Sequence, residues 1–323
     1  MQPPRLWPQR VPQSPRRRDN GAMKPVETQF IQALREARTP AAVAEACDVL
    51  EHSGEAVTPA FGAALPAALH GHLQAVSAHP GFRLWLDVYF GRQPGRFRSP
   101  LQQPNFLYYP ALPAQAWFST PELPELAPLQ RLIAPVREEL LGFLAEDVAF
   151  RPYVDARASG DRQWGRLADS LEWSARHLLR REQWDEALVA RLPVTRDFLA
   201  QAPLAQYPPH APECFISRLK PGTELPPHHG LSNIKLTAHL PVDLPGGCSI
   251  TVAGETRHWV HDDFLVFDDA FLHSACNRGE RVRTVLIFDI WHPGLCGEER
   301  AALAHAIAVL DRVQSCRRTG APS

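Results

Sequence analysis

The sequence predicts an α+β protein, helical up to about residue 90 and ending in an antiparallel β sandwich or barrel. Three observations carry this. From Cys214 onward, short β-rich runs (CFISRLK, IKLTAHLPV, CSITVAG, RHWV, DFLVFDD, RVRTVLIFDIW) are separated by PGTELPP, DLPGG and NRGE, whose Pro and Gly punctuate turns. Between about Glu27 and Phe90, apolar residues such as Phe30, Leu34, Val43, Cys47 and Leu50 recur at spacings of three or four. Hydrophobic residues make up 45% of the 323 residues, enough to bury a core.

Taken in order, residues 1–23 form a Pro- and Arg-rich stretch with little to bury, predicted as a disordered basic tail. Arg16-Arg17-Arg18 reads as part of that solvated tail, and Met23, directly before the first helical segment, reads as the true start of translation. Residues 24–92 form the helical N-terminal region. Within it Thr39-Pro40 and Thr58-Pro59 each place a capping side chain before a proline suited to the first helical turn. Residues 93–104, rich in Arg, Gln, Gly and Pro, read as a linker, and residues 105–311 as the second domain. That domain is expected to open with a short strand at Phe106 to Tyr109 and a helix capped by Thr120-Pro121 that runs through LAPLQRLIAPVREELLGFL. An irregular aromatic stretch from Phe150 to Pro212 follows, with Arg176 to Arg181 read as a solvated helix face. A helix after Gly297 packs outside the β domain, and residues 312–323 form a disordered tail.

The net charge of −1, from 34 basic and 35 acidic residues, argues against a nucleic-acid binder. Six widely spaced cysteines lack the close pairs of zinc clips or redox dithiols, which suits reduced thiols in a cytoplasm. No apolar run approaches the ~20 residues that span a bilayer, and the N-terminus lacks a secretory layout. The expectation is a soluble cytoplasmic protein without membrane partners.

The chemistry is concentrated in the β segment. His228, His239 and His273, with Ser217 upstream and Arg283 downstream, lie in or beside expected strands. Alternate strand residues face a barrel interior, so ligands distant in sequence converge there. Alternation in RVRTVLIFDIW puts Arg283, Val285, Ile287 and Asp289 on one face. A buried guanidinium needs an anion, and its planar fork matches a carboxylate. His229 reads as exposed beside a ligand, His258 and His261 as solvent-facing, Trp259 and Trp291 as packing, and Asp268 and Asp269 as turn-forming.

The ordered set Ser217, Pro221-Gly222, Pro227-His228-His229-Gly230, Asn233, His239-Leu240, Phe267-Asp268-Asp269, His273, Arg283 and Asp289-Ile290-Trp291-His292-Pro293 resembles the aspartyl/asparaginyl β-hydroxylases. These are iron(II)/2-oxoglutarate oxygenases with a double-stranded β-helix, jelly-roll or cupin-like core. The resemblance implies that His228 and His273 ligate Fe(II) and are catalytic, while Ser217, His239 and Arg283 hold the cosubstrate 2-oxoglutarate. It also implies O2 as oxidant, ascorbate as a reductant, and β-carbon hydroxylation of an Asp or Asn residue in a peptide or protein. Gly230 stands two after His228 where many iron oxygenases have a carboxylate, so water fills that position in the implied site. Two positions often arginine in the family are Lys235 and Thr237 here, which points to Lys235 as a substrate-binding residue. A disulfide-bearing loop known in some members has no counterpart between Glu186 and Pro212. The alternatives are the same chemistry on a free amino acid, a natural-product peptide or a lipid acyl chain, and a non-catalytic β-barrel binding module.

Overall fold

The computed structural model describes residues 22–146 and 148–319, and most of the expected N-terminal tail and the last four residues lie outside these. Helices α1 (Pro25–Glu36), α2 (Pro40–His52), α3 (Pro59–Gln74) and α4 (Pro80–Tyr89) come first. There follow β1 (Trp117–Phe118), α5 (Ile133–Leu144), β2 (Arg151–Pro152), β3 (Trp173–Arg180), β4 (Gln183–Trp184), α6 (Glu186–Val189) and α7 (Pro193–Gln201). Next are β5 (Cys214–Leu219), β6 (Glu224–His228), β7 (Lys235–Asp243), β8 (Cys248–Val252) and β9 (Glu255–Arg257). Strands β10 (Leu265–Phe267), β11 (His273–Asn277) and β12 (Arg283–Trp291) precede the last helix, α8 (Gly297–Thr319). No helix among the described residues is long and apolar enough to cross a membrane.

The chain divides into two units. One comprises Phe97–Tyr108 and Leu112–Gly294; the other takes the residues up to Arg96, Tyr109–Ala111 and those from Leu295 onward. In the helical unit, the hydroxyls of Thr39 and Thr58 accept the N–H groups of Ala42 and Phe61, both at 3.2 Å, which is the capping the sequence signals. The assignment of the last helix needs correction. Rather than covering the β domain and ending near residue 311, α8 runs to Thr319 and groups with the N-terminal helices. It buries Leu303, Ile307, Leu310 and Val313, and Arg312 forks onto both carboxylate oxygens of Glu51 in α2 at 2.8 Å. An apolar helical stripe must be covered, and α2 covers this one.

Three expectations for the β unit also change. Residues 97–104 are part of it, not a linker, since buried Gln102 donates to Asp268 Oδ2 at 2.5 Å. Phe106 to Tyr109 form no strand beyond a single bridge from Leu107 to Ser232; their complete burial mimics a strand's hydrophobicity. The helix expected after Thr120 breaks into 3-10 turns at Thr120–Glu122 and Ala127–Leu132 before α5. Pro124 pushes Leu123 out of the helical region, to φ −116° and ψ 76°, and neither Pro124 nor Pro128 has an N–H to donate.

Seven strands lie in the order β1-β10-β7-β12-β5-β3-β2, with β4 on β3, and a smaller sheet runs β6-β11-β8-β9; all pairings are antiparallel. This is a double-stranded β-helix. The outer face of the large sheet is covered by apolar residues of α5, α6 and α7 that meet Leu286, Phe288 and Ile290. The inner face turns Val285 and Ile287 toward Ile250 and Val252 of the small sheet. All nine residues of β12 are buried, as a strand covered on both faces must be.

Strand β3 replaces the helix face expected at Arg176 to Arg181. Its burial is two-sided, so Leu178 and Leu179 are both covered and the period of two is masked. Arg181 and Glu182, with φ of 50° and 65°, form the mirror-image turn into β4 that suits strand twist.

Burial lowers His177 and His292 from 6.5 to about 4. Between those values the unfolded chain binds protons at these sites and the folded chain does not, so stability falls as pH drops from about 6.5 to about 4. Urea midpoints measured across that window should decline steadily, and a flat profile would count against this burial.

Candidate active site

Strand β6 ends at His228 and β11 begins at His273, and the antiparallel register sets the two opposite one another. Their ring centroids lie 4.0 Å apart. His228 Nδ1–H donates to the carbonyl of Pro226 at 2.7 Å, and His273 Nδ1–H to that of Phe271 at 2.9 Å. A carbonyl only accepts, so each Nδ1 holds the proton and each Nε2 keeps its lone pair. Burial, helped by His273, lowers His228 to about 3, and burial lowers His273 to about 4. Two neutral imidazoles with set tautomers and free Nε2 lone pairs have the chemistry that suits a divalent transition metal.

The large sheet supplies the other end of the same cavity, of about 760 Å³, which Ser217 of β5, His239 of β7 and Arg283 of β12 all line. Arg283 is 2% exposed, and its Nε and Nη1 have no partner. Its guanidinium lies over the Trp259 ring, 4.9 Å from the centroid. Trp259 Nε1–H donates to His239 Nδ1 at 3.1 Å, so His239 carries its proton on Nε2. Burial and then the Arg283 charge keep His239 neutral, well below its usual range. Trp173 Nε1–H donates to Ser217 Oγ at 3.3 Å, leaving the serine hydroxyl to donate elsewhere. Burial lowers Arg283 to about 10, so it stays cationic at neutral pH. Buried guanidinium donors without a partner cost several kcal/mol, which an anion relieves. A hydroxyl, an imidazole N–H and a guanidinium together suit a carboxylate.

Lys235 lines the cavity too, yet its ammonium is fully engaged, with Asp269 Oδ2 and Asp289 Oδ1 at 2.8 Å and Thr237 Oγ1 at 3.2 Å. In this structure Lys235 braces the inner wall of the cavity through these three bonds. Burial alone would lower its pKa, but Asp269 and Asp289 outweigh burial and hold it well above the usual value. Two carboxylates against one ammonium leave the group short of positive charge, which favours a cation at the neighbouring histidines. The pair of aspartates read as turn-forming divides. Asp268 Oδ1 accepts the N–H of Ala270 at 2.9 Å, a turn bond, whereas Asp269 enters the site and its Oδ1 is buried without a partner.

Gly230 explains how Asp269 fits. A Cβ at position 230 would lie 2.2 to 2.4 Å from the three carboxylate atoms of Asp269, so the aspartate occupies the space a side chain there would need. Gly230→Ala is expected to displace Asp269 from Lys235 and to destabilise the protein by about 1–3 kcal/mol in urea unfolding. An unchanged midpoint would show that Asp269 yields freely. Among the described residues, the three metal-ligating side chains found within 4.8 Å of one another are His79, Cys296 and Glu299, in the helical unit. Glu299 is occupied there by hydrogen bonds from Tyr109 Oη at 2.6 Å and Cys296 N–H at 3.1 Å.

A family model described as aspartyl/asparaginyl beta-hydroxylase matches residues 131–293, which include every residue of this cavity from Tyr153 to Asp289. The chain belongs to the aspartyl/asparaginyl β-hydroxylase family. Aspartate beta-hydroxylase domain-containing protein 2 of Xenopus tropicalis is 42% identical over 91 residues, 27% of this chain and 25% of that protein. Aspartyl/asparaginyl beta-hydroxylase of Mus musculus is 40% identical over 88 residues, 27% of this chain and 12% of that protein. The matches thus span a quarter or less of these relatives. A Pseudomonas putida prolyl-4-hydroxylase structure shares 17% identity over 55% of this chain and 91% of that one, with a TM-score of 0.28. Within this β-hydroxylase fold, sequence patterns missed Trp259, read only as packing, and Trp164, whose ring meets His228 edge-on at 4.9 Å.

Proposed function

We propose that the chain is an iron(II)- and 2-oxoglutarate-dependent dioxygenase that hydroxylates an aspartyl, asparaginyl or related residue in a peptide or protein. The observation that carries this reading is one cavity joining two neutral histidines of set tautomer to a buried arginine with two unpaired donors. His228 and His273 would hold the iron through Nε2. Gly230 offers no third protein ligand, and water takes that place. Arg283, Ser217 and His239 hold a cosubstrate carboxylate by the guanidinium fork, the O–H and the Nε2–H. When bound, iron(II) with 2-oxoglutarate and O2 supplies the oxidising chemistry, converting a substrate C–H to C–OH as 2-oxoglutarate becomes succinate and CO2. The apolar wall of Phe215, Ile250, Phe267 and Ile287 keeps the reacting centre dry.

Succinate release in the presence of iron(II), ascorbate and 2-oxoglutarate, with mass spectrometry of peptide substrates, tests this. A gain of one oxygen atom on an Asp or Asn side chain is expected. Absence of metal-dependent turnover over a broad panel of peptides, amino acids and lipids would instead favour a binding module.

A further inference from the structure

The outer part of the cavity carries a charge that the cosubstrate and metal do not use. The lining of the whole cavity holds five carboxylates, Asp155, Asp161, Glu213, Asp269 and Asp289, against three cations, Arg157, Lys235 and Arg283; of these Asp155, Arg157 and Asp161 are exposed at the mouth, while Lys235, Arg283 and Asp289 are buried. We infer that this mouth selects a cationic substrate, a peptide bringing a Lys or Arg side chain to the hydroxylated residue or its immediate neighbour. The inference rests on the oxygenase reading above and goes on to name the chemistry of the substrate.

Each of the three cations already has an anion to balance it, although the exposed Arg157–Asp155 pair is a weak one. Arg157 donates from Nε and Nη2 to the two carboxylate oxygens of Asp155, both at 2.9 Å. Lys235 is shared between Asp269 and Asp289. Arg283 lies on the large sheet, across the cavity's lining from the two histidines, and takes the cosubstrate. A divalent iron and the 2-oxoglutarate dianion cancel, so the loaded site keeps the acidic excess of its lining. Glu213 has an outside partner in Arg180 at 2.9 Å, but that arginine is half exposed and such pairs are weak.

Aromatic rings share this lining. Tyr153 stacks on Trp173 with centroids 3.9 Å apart, and Trp164 lies 6.0 Å from Trp173. All three rings line the cavity. The segment carrying Trp164 is pinned next to the metal pair, because Gln163 Nε2–H donates to the carbonyl of Pro227 at 2.7 Å. Asp161 Oδ1 accepts the N–H groups of Gln163 and Trp164 at 2.7 and 3.1 Å, which orients its carboxylate at the same rim. Carboxylates interleaved with aromatic faces attract an ammonium or guanidinium, and a cleft of one sign concentrates the opposite one. A carboxylate on a residue flanking the hydroxylated one would meet net repulsion there.

The test uses full-length protein loaded with manganese(II) and an unreactive oxoglutarate analogue. Acetylated, amidated pentapeptides with a central Asn, flanked by Lys, Gly or Glu, are titrated by calorimetry. Lys-flanked peptides should bind at least about tenfold tighter than Glu-flanked ones, a gap of about 1.4 kcal/mol. The gap should close in Asp161→Asn/Glu213→Gln and remain in Asp161→Glu. Equal or tighter binding of Glu-flanked peptides, no binding by any peptide, or a gap unchanged in the double variant overturns the inference. A Lys preference with no succinate release from the iron-loaded protein would overturn the oxygenase reading and leave the charge selection standing.

Discussion

Arg283→Met is expected to raise the 2-oxoglutarate concentration for half-maximal turnover by about two orders of magnitude, since a charge-assisted bond contributes ~1.5–3 kcal/mol. The rate at saturating cosubstrate should change much less, because Arg283 lies on the opposite sheet from the two histidines. The same substitution carries a second, opposite effect. Without cosubstrate the guanidinium is buried with Nε and Nη1 unpaired, so an apolar replacement of similar length removes a desolvation cost. The stacking on Trp259 that is lost contributes only ~1 kcal/mol. Unliganded Arg283→Met should therefore unfold at equal or higher urea concentration than the parent while binding cosubstrate worse. A variant that loses stability and keeps its cosubstrate affinity would place the arginine in the scaffold rather than in the site.

His273→Ala and His228→Ala have the larger catalytic effect. Each leaves one neutral imidazole where two faced each other across the β6–β11 register, and one imidazole is a poor ligand set for a divalent ion. Turnover is expected to fall by at least about three orders of magnitude, with metal affinity lost in equilibrium dialysis. His229→Ala provides the contrast. Its Nδ1–H donates to the carbonyl of Ala270 at 2.9 Å, and its ring belongs to the rim, so metal binding should persist.

What could be read from sequence follows from which forces act locally. The strands with strong alternation or long β-branched runs, β5, β7 and β12, were legible, and with them the inward face of Arg283 and Asp289. The strands that carry the two facing histidines were not. ELPPH in β6 reads as a turn because of Pro226 and Pro227, and it pairs only because β6 is a sheet edge, where missing donors are tolerated. β3 was hidden by burial on both faces, and α8 was misassigned because its partner α2 is some 250 residues away in sequence, beyond any local signal. Within the site, single residues of known chemical type were visible, whereas their commitments were not. That Lys235 is consumed by Asp269 and Asp289, that Trp259 sets the tautomer of His239, and that Asp269 fills the space beside Gly230 are facts of three-dimensional packing.

The most direct measurement is an anaerobic titration of iron(II) into protein with 2-oxoglutarate, followed by visible charge-transfer absorption. The native protein should develop the band to saturation at stoichiometric iron. Arg283→Met should need far more 2-oxoglutarate to do so, and His273→Ala should show no band. A native protein that develops no band, or a His228→Ala/His273→Ala double variant that develops it undiminished, would contradict the assignment of the metal and cosubstrate to this cavity.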